Sequence, residues 1–113
     1  MKIRIAAYGA ILLAIGFSQA LGASGDAYIL RVSDAISPGT AEFIRTGLKK
    51  AEAESAACVI IQLDTPGGLA ESMRTIVQDL LASPLPIVVY VAPGGARAAS
   101  AGVMITMAAD IAA

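Results

Sequence analysis

The chain has 113 residues, of which 57% are hydrophobic and 15% are charged, and its mean hydropathy is +0.73. This composition excludes disorder over most of the length, because disordered chains combine low hydrophobicity with high net charge. A net charge of −1 argues against nucleic-acid binding, since no chain-wide basic field attracts phosphate. There is no histidine and one cysteine, which excludes a Ser-His-Asp triad, a Cys–His pair, a zinc site containing histidine and an internal disulfide. We expect one small domain without a metal or a cofactor.

Residues 1–22 have the layout of an export signal. Lys2 and Arg4 precede the apolar run Ile5–Phe17, and small and polar residues follow. This order is typical of a secretory signal peptide. The alternative is an uncleaved membrane anchor, because about 20 uncharged residues suffice to span a bilayer. In both cases residues 23–113 are expected to be exported, on the periplasmic or extracytoplasmic side, and to be membrane-associated.

The first half of this exported part predicts a strand, a helix and a strand. Tyr28–Val32 is compatible with a β-strand. Ser37 followed by Pro38 is a favourable pair for the start of a helix. The apolar residues that follow have helical spacing; they are Ala41, Ile44, Leu48 and Ala51. The continuous apolar run Cys58–Leu63 predicts a strand covered on both faces.

The second half repeats the pattern. A helical apolar stripe predicts the next helix; it consists of Leu69, Met73, Ile76, Val77 and Leu80. Pro86–Ala92 predicts a buried strand, and a helix is expected over about Ala98–Ala109, with Met104 and Met107 packed against the sheet. Strands that alternate with helices indicate an α/β fold with right-handed βαβ units and a mostly parallel sheet. A further strand is expected where the sequence stops, so we predict a truncated domain.

Two glycine-rich loops follow the predicted strands. One is Asp64–Gly68 and the other is Pro93–Ala96. Both fall at the carboxyl edge of a parallel sheet, where sites form, and each leads to a helix start with free backbone N–H groups. Paired glycines let a substrate carbonyl approach such amides closely, as an oxyanion hole requires. An ordinary turn is the alternative, and the residues alone favour it; Asp64 is expected to hydrogen-bond within its own turn.

Ser100 lies in a run of very small residues, Ala98–Gly102. A serine there can expose its hydroxyl to an acyl substrate, although a packing or capping role is the simpler interpretation. A nucleophilic serine needs a base, and without histidine the best candidate is a desolvated lysine. Lys49 and Lys50 are expected on the solvated face of a helix, so no good base is predicted in the chain.

The signal segment, Leu63–Gly68 and Gly94–Gly102 together resemble the NfeD family, the membrane-bound ClpP-class serine proteases. The resemblance implies a Clp/crotonase-like spiral of ββα units over residues 23–113. It matches Ser100 to the nucleophile and Gly67 and Gly68 to the segment that supplies oxyanion-hole amides and holds the peptide. We add Gly95 and Ala101 to the predicted oxyanion and substrate-binding set.

The resemblance also implies a base lysine downstream of the last residue here. The first hypothesis is therefore a serine endopeptidase with a Ser/Lys dyad that is inactive in this truncated form. The implied substrate is a protein or peptide with an apolar cleavage segment, for which a stomatin-like membrane protein is the candidate.

Two other classes stay open. One is a non-catalytic, membrane-associated module that binds apolar peptides of stomatin-like proteins. The other is a crotonase-type acyl-thioester enzyme, although the chain has no basic or adenine-binding feature that supports it. An unfinished sheet edge is compatible with a homo-oligomer.

Overall fold

The computed structural model describes residues 25–113, in which strands and helices alternate. The elements are β1 (Ala27–Ser33), α1 (Pro38–Ala53), β2 (Cys58–Asp64), α2 (Ala70–Ala82), β3 (Ile87–Val91), α3 (Ala101–Met107) and β4 (Ile111–Ala112). This alternation confirms the predicted α/β fold. The signal peptide or anchor predicted for residues 1–22 lies outside the described residues. Among residues 25–113, none of the helices has the length and hydropathy needed to cross a bilayer.

The sheet is parallel, and its four strands follow chain order, β1-β2-β3-β4. Because every right-handed crossover then turns the same way, the connecting helices pack on one face of the sheet. The core lies between that face and the helices, where Ile61 and Val89 of the sheet and Ile44 and Ile76 of the helices are all fully buried.

The local signals at the start of α1 act as the sequence predicts. Ser37 is the N-cap, and its hydroxyl accepts a hydrogen bond from the Thr40 N–H (N···O 3.2 Å), while Pro38 is the first helical residue. The four residues predicted to face the core do so. In α2 the predicted stripe begins one turn too early, because Leu69 is the N-cap and is 56% exposed.

No helix within residues 25–113 packs on the opposite face of the sheet, so the predicted cover of β2 on both faces is not found there, and its residues on that face are half-buried. In-register pairing places Ile29, Ile60, Val88 and Ile111 in one row across all four strands. Ile29 is 50% exposed and Ile111 is 59% exposed. We call these four residues the open-face row. All four are apolar, although no helix of the described chain packs on them.

The last helix is shorter than predicted, covering Ala101–Met107 instead of about Ala98–Ala109. Ala98 is drawn into a parallel bridge with Thr65, which holds the chain extended up to Ser100. Met104 and Met107 are 46% and 73% exposed, so the expectation that they pack against the sheet is wrong. Ile105 is the fully buried residue of this helix instead.

Candidate active site

The loops that follow β2 and β3 are joined to each other by backbone hydrogen bonds. The Thr65 N–H donates to the Arg97 carbonyl (N···O 2.7 Å), and the Ala99 N–H donates to the Thr65 carbonyl (3.0 Å). The Asp64 carboxylate accepts from the Arg97 N–H (3.2 Å), so it links the two loops rather than bonding within its own turn as predicted. The β2–β3 pairing thus continues past the strand ends, and it brings the two predicted loops side by side.

The segment before α1 supports the first loop from its other side. The Ile36 N–H donates to the Gly67 carbonyl (N···O 2.8 Å), and the Leu69 N–H donates to the Ile36 carbonyl (2.9 Å). A Cβ atom at Gly68 would overlap the Ile36 carbonyl oxygen. Gly68 is therefore required by the close approach of these two backbones.

Ser100 lies directly against Gly67. A Cβ atom built on Gly67 would lie 2.7 Å from Ser100 Cβ and 3.2 Å from its Oγ, and Gly67 has a φ of +111°, which side chains rarely adopt. The structure therefore brings the predicted serine and the predicted paired glycines together at one edge of the sheet. Ser100 is exposed, whereas Gly67 is buried.

Ser100 itself adopts a strained backbone conformation at the start of α3. Its φ is 54° and its ψ is −114°, and its side chain makes no capping hydrogen bond. The turn is tight, because a Cβ atom on Gly102 would lie 3.2 Å from Ala98 Cβ and 2.7 Å from Thr65 Cγ2. A serine raised on a sharp turn between an extended segment and a helix, with small residues two positions before and after it, is the arrangement that exposes a nucleophilic hydroxyl in many hydrolases.

A groove of about 310 Å³ opens beside this serine. Its lining residues are Gly68, Ala70, Met73, Ser100, Ala101 and Met104. Apart from the serine hydroxyl, the side chains that line it are apolar. Met104 is exposed because it lines this groove. The spacing of apolar residues in the sequence did not indicate that position.

Two backbone donors in the lining have no acceptor among residues 25–113. Neither the Gly68 N–H nor the Ala101 N–H donates a hydrogen bond there, and Ala101 is the first residue of α3, where an N–H group has no intrahelical partner. The groove thus combines one hydroxyl with two unpaired amide donors. Such a set is suited to an acyl group whose oxygen becomes negatively charged.

Gly95 lies apart from the groove lining. It has a φ of +91°, and a Cβ atom there would meet nothing within 4 Å. Its positive φ fits a turn after β3, and the substrate-binding role expected for Gly95 stays a prediction.

The two lysines of the described chain are far from Ser100. Lys50 lies in the last turn of α1, a helix of 16 residues that is about 24 Å long. Lys49 lines a separate groove with Ser83 and Pro84, which precede β3 and therefore lie at the amino edge of the sheet. Both lysines are exposed, as predicted. In the part of the chain that the structure describes, no group of three or more potential metal ligands is found.

Thr65 is the site residue that the sequence analysis missed. It is fully buried, and its hydroxyl contacts both the N–H and the carbonyl of Gly67. A threonine two residues before a glycine, directly after a strand, is a recognisable signal for a side-chain-stabilised turn. The signal was present in the sequence, but burial of the hydroxyl was not predictable from it.

Comparison with known proteins settles the family. Residues 26–113 match the family model described as NfeD1b, N-terminal domain. The chain belongs to this family. The NfeD resemblance drawn from the two loops is thereby confirmed.

Two relatives of the NfeD1b domain are similar in sequence. The membrane-bound protease PH1510 of Pyrococcus horikoshii is 38% identical over 84 residues, which are 74% of this chain and 19% of the relative. The membrane protein NfeD1b of Bacillus subtilis is 30% identical over 115 residues, 96% of this chain and 26% of the relative. The chain thus spans about a fifth to a quarter of the length of these proteins.

Solved structures confirm that the NfeD1b domain has a ClpP-like protease fold. A serine-to-alanine mutant of the 1510-N membrane-bound stomatin-specific protease superposes with a TM-score of 0.77 at 35% identity, covering 79% of this chain and 43% of that one. A lysine-to-alanine mutant of the same protease, in complex with a substrate peptide, gives 0.76 at 36% identity, over 79% and 41%. A ClpP1 mutant from Listeria monocytogenes gives 0.66 at 25% identity, over 72% and 46%.

Proposed function

We propose that this domain carries the nucleophile and the oxyanion hole of a membrane-associated serine endopeptidase that uses a Ser/Lys dyad. The observation that carries the proposal is the position of the Ser100 hydroxyl in a groove that also holds the unpaired N–H groups of Gly68 and Ala101. The relatives support it, since they include a membrane-bound protease and mutants of that protease at a serine and at a lysine.

In this mechanism Ser100 Oγ attacks the carbonyl carbon of the scissile peptide bond, and the hydroxyl proton passes to the base. The carbonyl oxygen becomes an oxyanion that accepts hydrogen bonds from the Gly68 and Ala101 amides. Each well-placed donor of this kind lowers the barrier by about 3 to 4 kcal/mol. The base then returns the proton to the leaving amine, and water releases the acyl group from the serine by the same steps in reverse order.

The base in this proposal is a lysine from outside residues 25–113. Lys49 and Lys50 are exposed and lie toward the other edge of the sheet, so neither is in reach of the Ser100 hydroxyl proton. A base lysine has to be desolvated so that its pKa falls from about 10.4 toward 7 or 8. The 113-residue chain by itself is therefore expected to be inactive.

The proposed substrate is an apolar peptide segment of a membrane protein, with a stomatin-like protein as the candidate. The apolar lining by Ala70, Met73 and Met104 supports this class, because a charged side chain would lose hydration there without gaining a partner. The similarity to a stomatin-specific protease supports the candidate. We place the domain on the extracytoplasmic side, on the basis of the signal layout in residues 1–22.

Peptidase assays on two chain lengths test this proposal. The 113-residue chain and the longest natural product of its gene are each given a fluorogenic peptide with an apolar cleavage segment. Cleavage is expected only with the longer protein, and Ser100→Ala is expected to abolish it. Ser33→Ala, at an exposed position at the end of β1, is the matched control that keeps full activity. Cleavage that survives Ser100→Ala would rule the mechanism out.

One second candidate, from a different class, is a membrane-associated module that binds apolar peptides without cleaving them, and the apolar lining of the groove beside Ser100 supports it. Its signature is saturable binding of the same peptide by the longer protein with no turnover. In that case Ser100→Ala leaves the affinity unchanged and there is no activity to lose.

A further inference from the structure

Thr65 is fully buried where the two site loops meet, and it is one of only two buried polar residues within residues 25–113. Its backbone joins the loops, through the hydrogen bonds with Arg97 and Ala99 described above. A buried hydroxyl has to be hydrogen-bonded to be tolerated, so the partners of this one indicate what it stabilises.

Both partners of the Thr65 hydroxyl belong to Gly67. The Gly67 N–H donates to Thr65 Oγ1 (N···O 3.1 Å), and Thr65 Oγ1 donates to the Gly67 carbonyl oxygen (O···O 3.3 Å). One hydroxyl thus holds the peptide groups on both sides of a glycine whose φ is +111°. Without such support a glycine has many other accessible backbone conformations.

The orientation of the Gly67 carbonyl also determines that of the Gly68 amide. These two groups belong to one peptide unit, which is planar and trans, so its N–H points opposite to its C=O. The carbonyl is fixed by the Thr65 hydroxyl and by the Ile36 N–H (N···O 2.8 Å). The Gly68 N–H is thereby directed away from these partners, and it is one of the two amides in the groove lining that have no acceptor among residues 25–113.

The methyl group of Thr65 has a different neighbour. A Cβ atom on Gly102 would lie 2.7 Å from Thr65 Cγ2, so the methyl packs against the turn that carries Ser100. The hydroxyl and the methyl of one side chain therefore contact the two parts of the site separately. Substitutions that remove one and keep the other can distinguish their effects.

We propose that Thr65 is a positioning residue that orients the Gly68 amide of the oxyanion hole through its two hydrogen bonds to Gly67. The inference rests on the proposed function, because an oxyanion hole matters only if Ser100 attacks a carbonyl. Thr65 does not touch the substrate in this proposal. Its hydroxyl acts on the tetrahedral state and not on the binding of the unreacted peptide.

The test compares two probes on the longest natural product of the gene. A tripeptide boronic acid with leucine side chains bonds reversibly to Ser100 Oγ and presents a tetrahedral oxygen to the two amides, whereas the matching tripeptide amide does not. Affinity for the boronic acid is measured with Ser100 present, and affinity for the amide in a Ser100→Ala background. The variants are Thr65→Val, which keeps the methyl and loses the hydroxyl, and Thr65→Ser, which does the reverse.

For Thr65→Val we expect boronic-acid affinity and kcat to fall by about 10- to 100-fold, below the 100- to 1,000-fold effect of removing an oxyanion donor outright. Amide affinity and KM should stay within about twofold of wild type, since this interaction forms only in the tetrahedral state. Thr65→Ser should stay within about threefold of wild type on both probes, because its hydroxyl still holds Gly67.

Different outcomes overturn different claims. A wild-type protein that does not bind the boronic acid overturns the proposed function, and the inference with it. Wild-type binding with unchanged boronic-acid affinity in Thr65→Val overturns the inference alone, as does an equal loss on both probes. If Thr65→Val does not fold, Thr65→Ala replaces it and is compared with Thr65→Ser, because both of these variants lack the methyl and they differ in the hydroxyl. If neither folds, Thr65→Ser decides, because a loss of boronic-acid affinity with the hydroxyl present contradicts the proposed role.

Discussion

Ser100 has a backbone conformation that is unfavourable for any residue with a side chain, with φ 54° and ψ −114°. Conformations of this kind cost about 1 to 3 kcal/mol and persist where the surrounding structure enforces them. Here the enforcing contacts are the Thr65–Ala98 bridge before the serine and the close approach of Gly102 after it. Exposure of the hydroxyl is thus obtained at the expense of stability.

This strain predicts a difference between two inactive variants. Ser100→Gly should be more stable than Ser100→Ala by about 1 kcal/mol, because glycine tolerates this φ and ψ. This gain exceeds the opposing effect, which is that a chain with glycine gains more conformational entropy on unfolding. Urea unfolding of both variants measures the difference. Ser33→Gly is the control at an extended strand position, where glycine should be less stable than alanine. Equal stability of the two Ser100 variants would contradict the presence of strain.

The contact between Gly67 and Ser100 gives a second prediction. Gly67→Ala introduces a Cβ atom 2.7 Å from Ser100 Cβ at a φ of +111°, so it should lower the free energy of unfolding by about 1 to 3 kcal/mol and lower peptidase activity of the longer protein at least 100-fold. Gly94→Ala is the matched control, because a Cβ atom there meets nothing within 4 Å. Similar losses in both variants would show that the Gly67 contact is not special.

The sequence was informative about which residues meet at the site and less so about how they are held. The proximity of Ser100 to Gly67 and Gly68 was predictable, because loops that follow neighbouring parallel strands lie at the same edge of a sheet. The burial of Thr65 and the close packing of Gly102 were not predictable, since they depend on distances between segments far apart in the chain. Asp64 was assigned to its own turn because local hydrogen bonds are the simplest expectation from sequence.

Helix α1 ends in a well-defined turn in which Ser55 has a positive φ that is unfavourable for a residue with a side chain. The Ser55 N–H donates to the Glu52 carbonyl (N···O 3.1 Å) and the Ala56 N–H to the Ala51 carbonyl (2.9 Å), the pair of bonds of a Schellman motif. Ser55 has a φ of 56°, at the position where such motifs usually have glycine.

Ser55→Gly should therefore stabilise the domain by about 0.5 to 1 kcal/mol, because the positive φ no longer opposes a side chain. Chemical denaturation measures the gain, and Ser55→Ala is the control that should not gain stability. No effect on peptidase activity is expected, since this turn leads into β2 at the edge opposite Ser100. A loss of stability in Ser55→Gly would contradict the motif.

Element type was predictable here, whereas the ends of elements were not. The spacing of apolar residues in α1 correctly predicted which of its residues are buried, since a stripe over four turns lies on one consistent face of the helix. In α3 the predicted start failed because Ala98 and Ala99 are good helix formers that tertiary hydrogen bonds hold extended. The same apolar character of β2 fits a strand with one or two covered faces, so coverage could not be read from the run.

At the scale of the whole molecule, one face of the sheet is packed and the other is open among the described residues. The open-face row is apolar across four strands, and its end residues are half exposed or more. Apolar surface of this extent favours association of the isolated chain.

Ile29→Lys should therefore reduce self-association of the 113-residue chain without lowering its Tm. Leu81→Lys is the matched control, because Leu81 is 70% exposed but lies on α2, on the helical side of the molecule. Sedimentation velocity over a range of protein concentrations measures both variants. If Leu81→Lys reduces association as much as Ile29→Lys does, the open-face row is not the surface involved.

Strand order also determines how independent the candidate site is of the rest of the sheet. The serine and the paired glycines follow β3 and β2, which are adjacent strands about 4.8 Å apart. New strands can therefore join at the β1 or β4 edge without separating the two halves of the site. In contrast, a one-residue slip between β2 and β3 would move the hydroxyl by about 3.3 Å relative to the glycines. The site therefore depends on the alignment of its central pair and on the Ile36 segment after β1, whereas strands added beyond the sheet edges leave it intact.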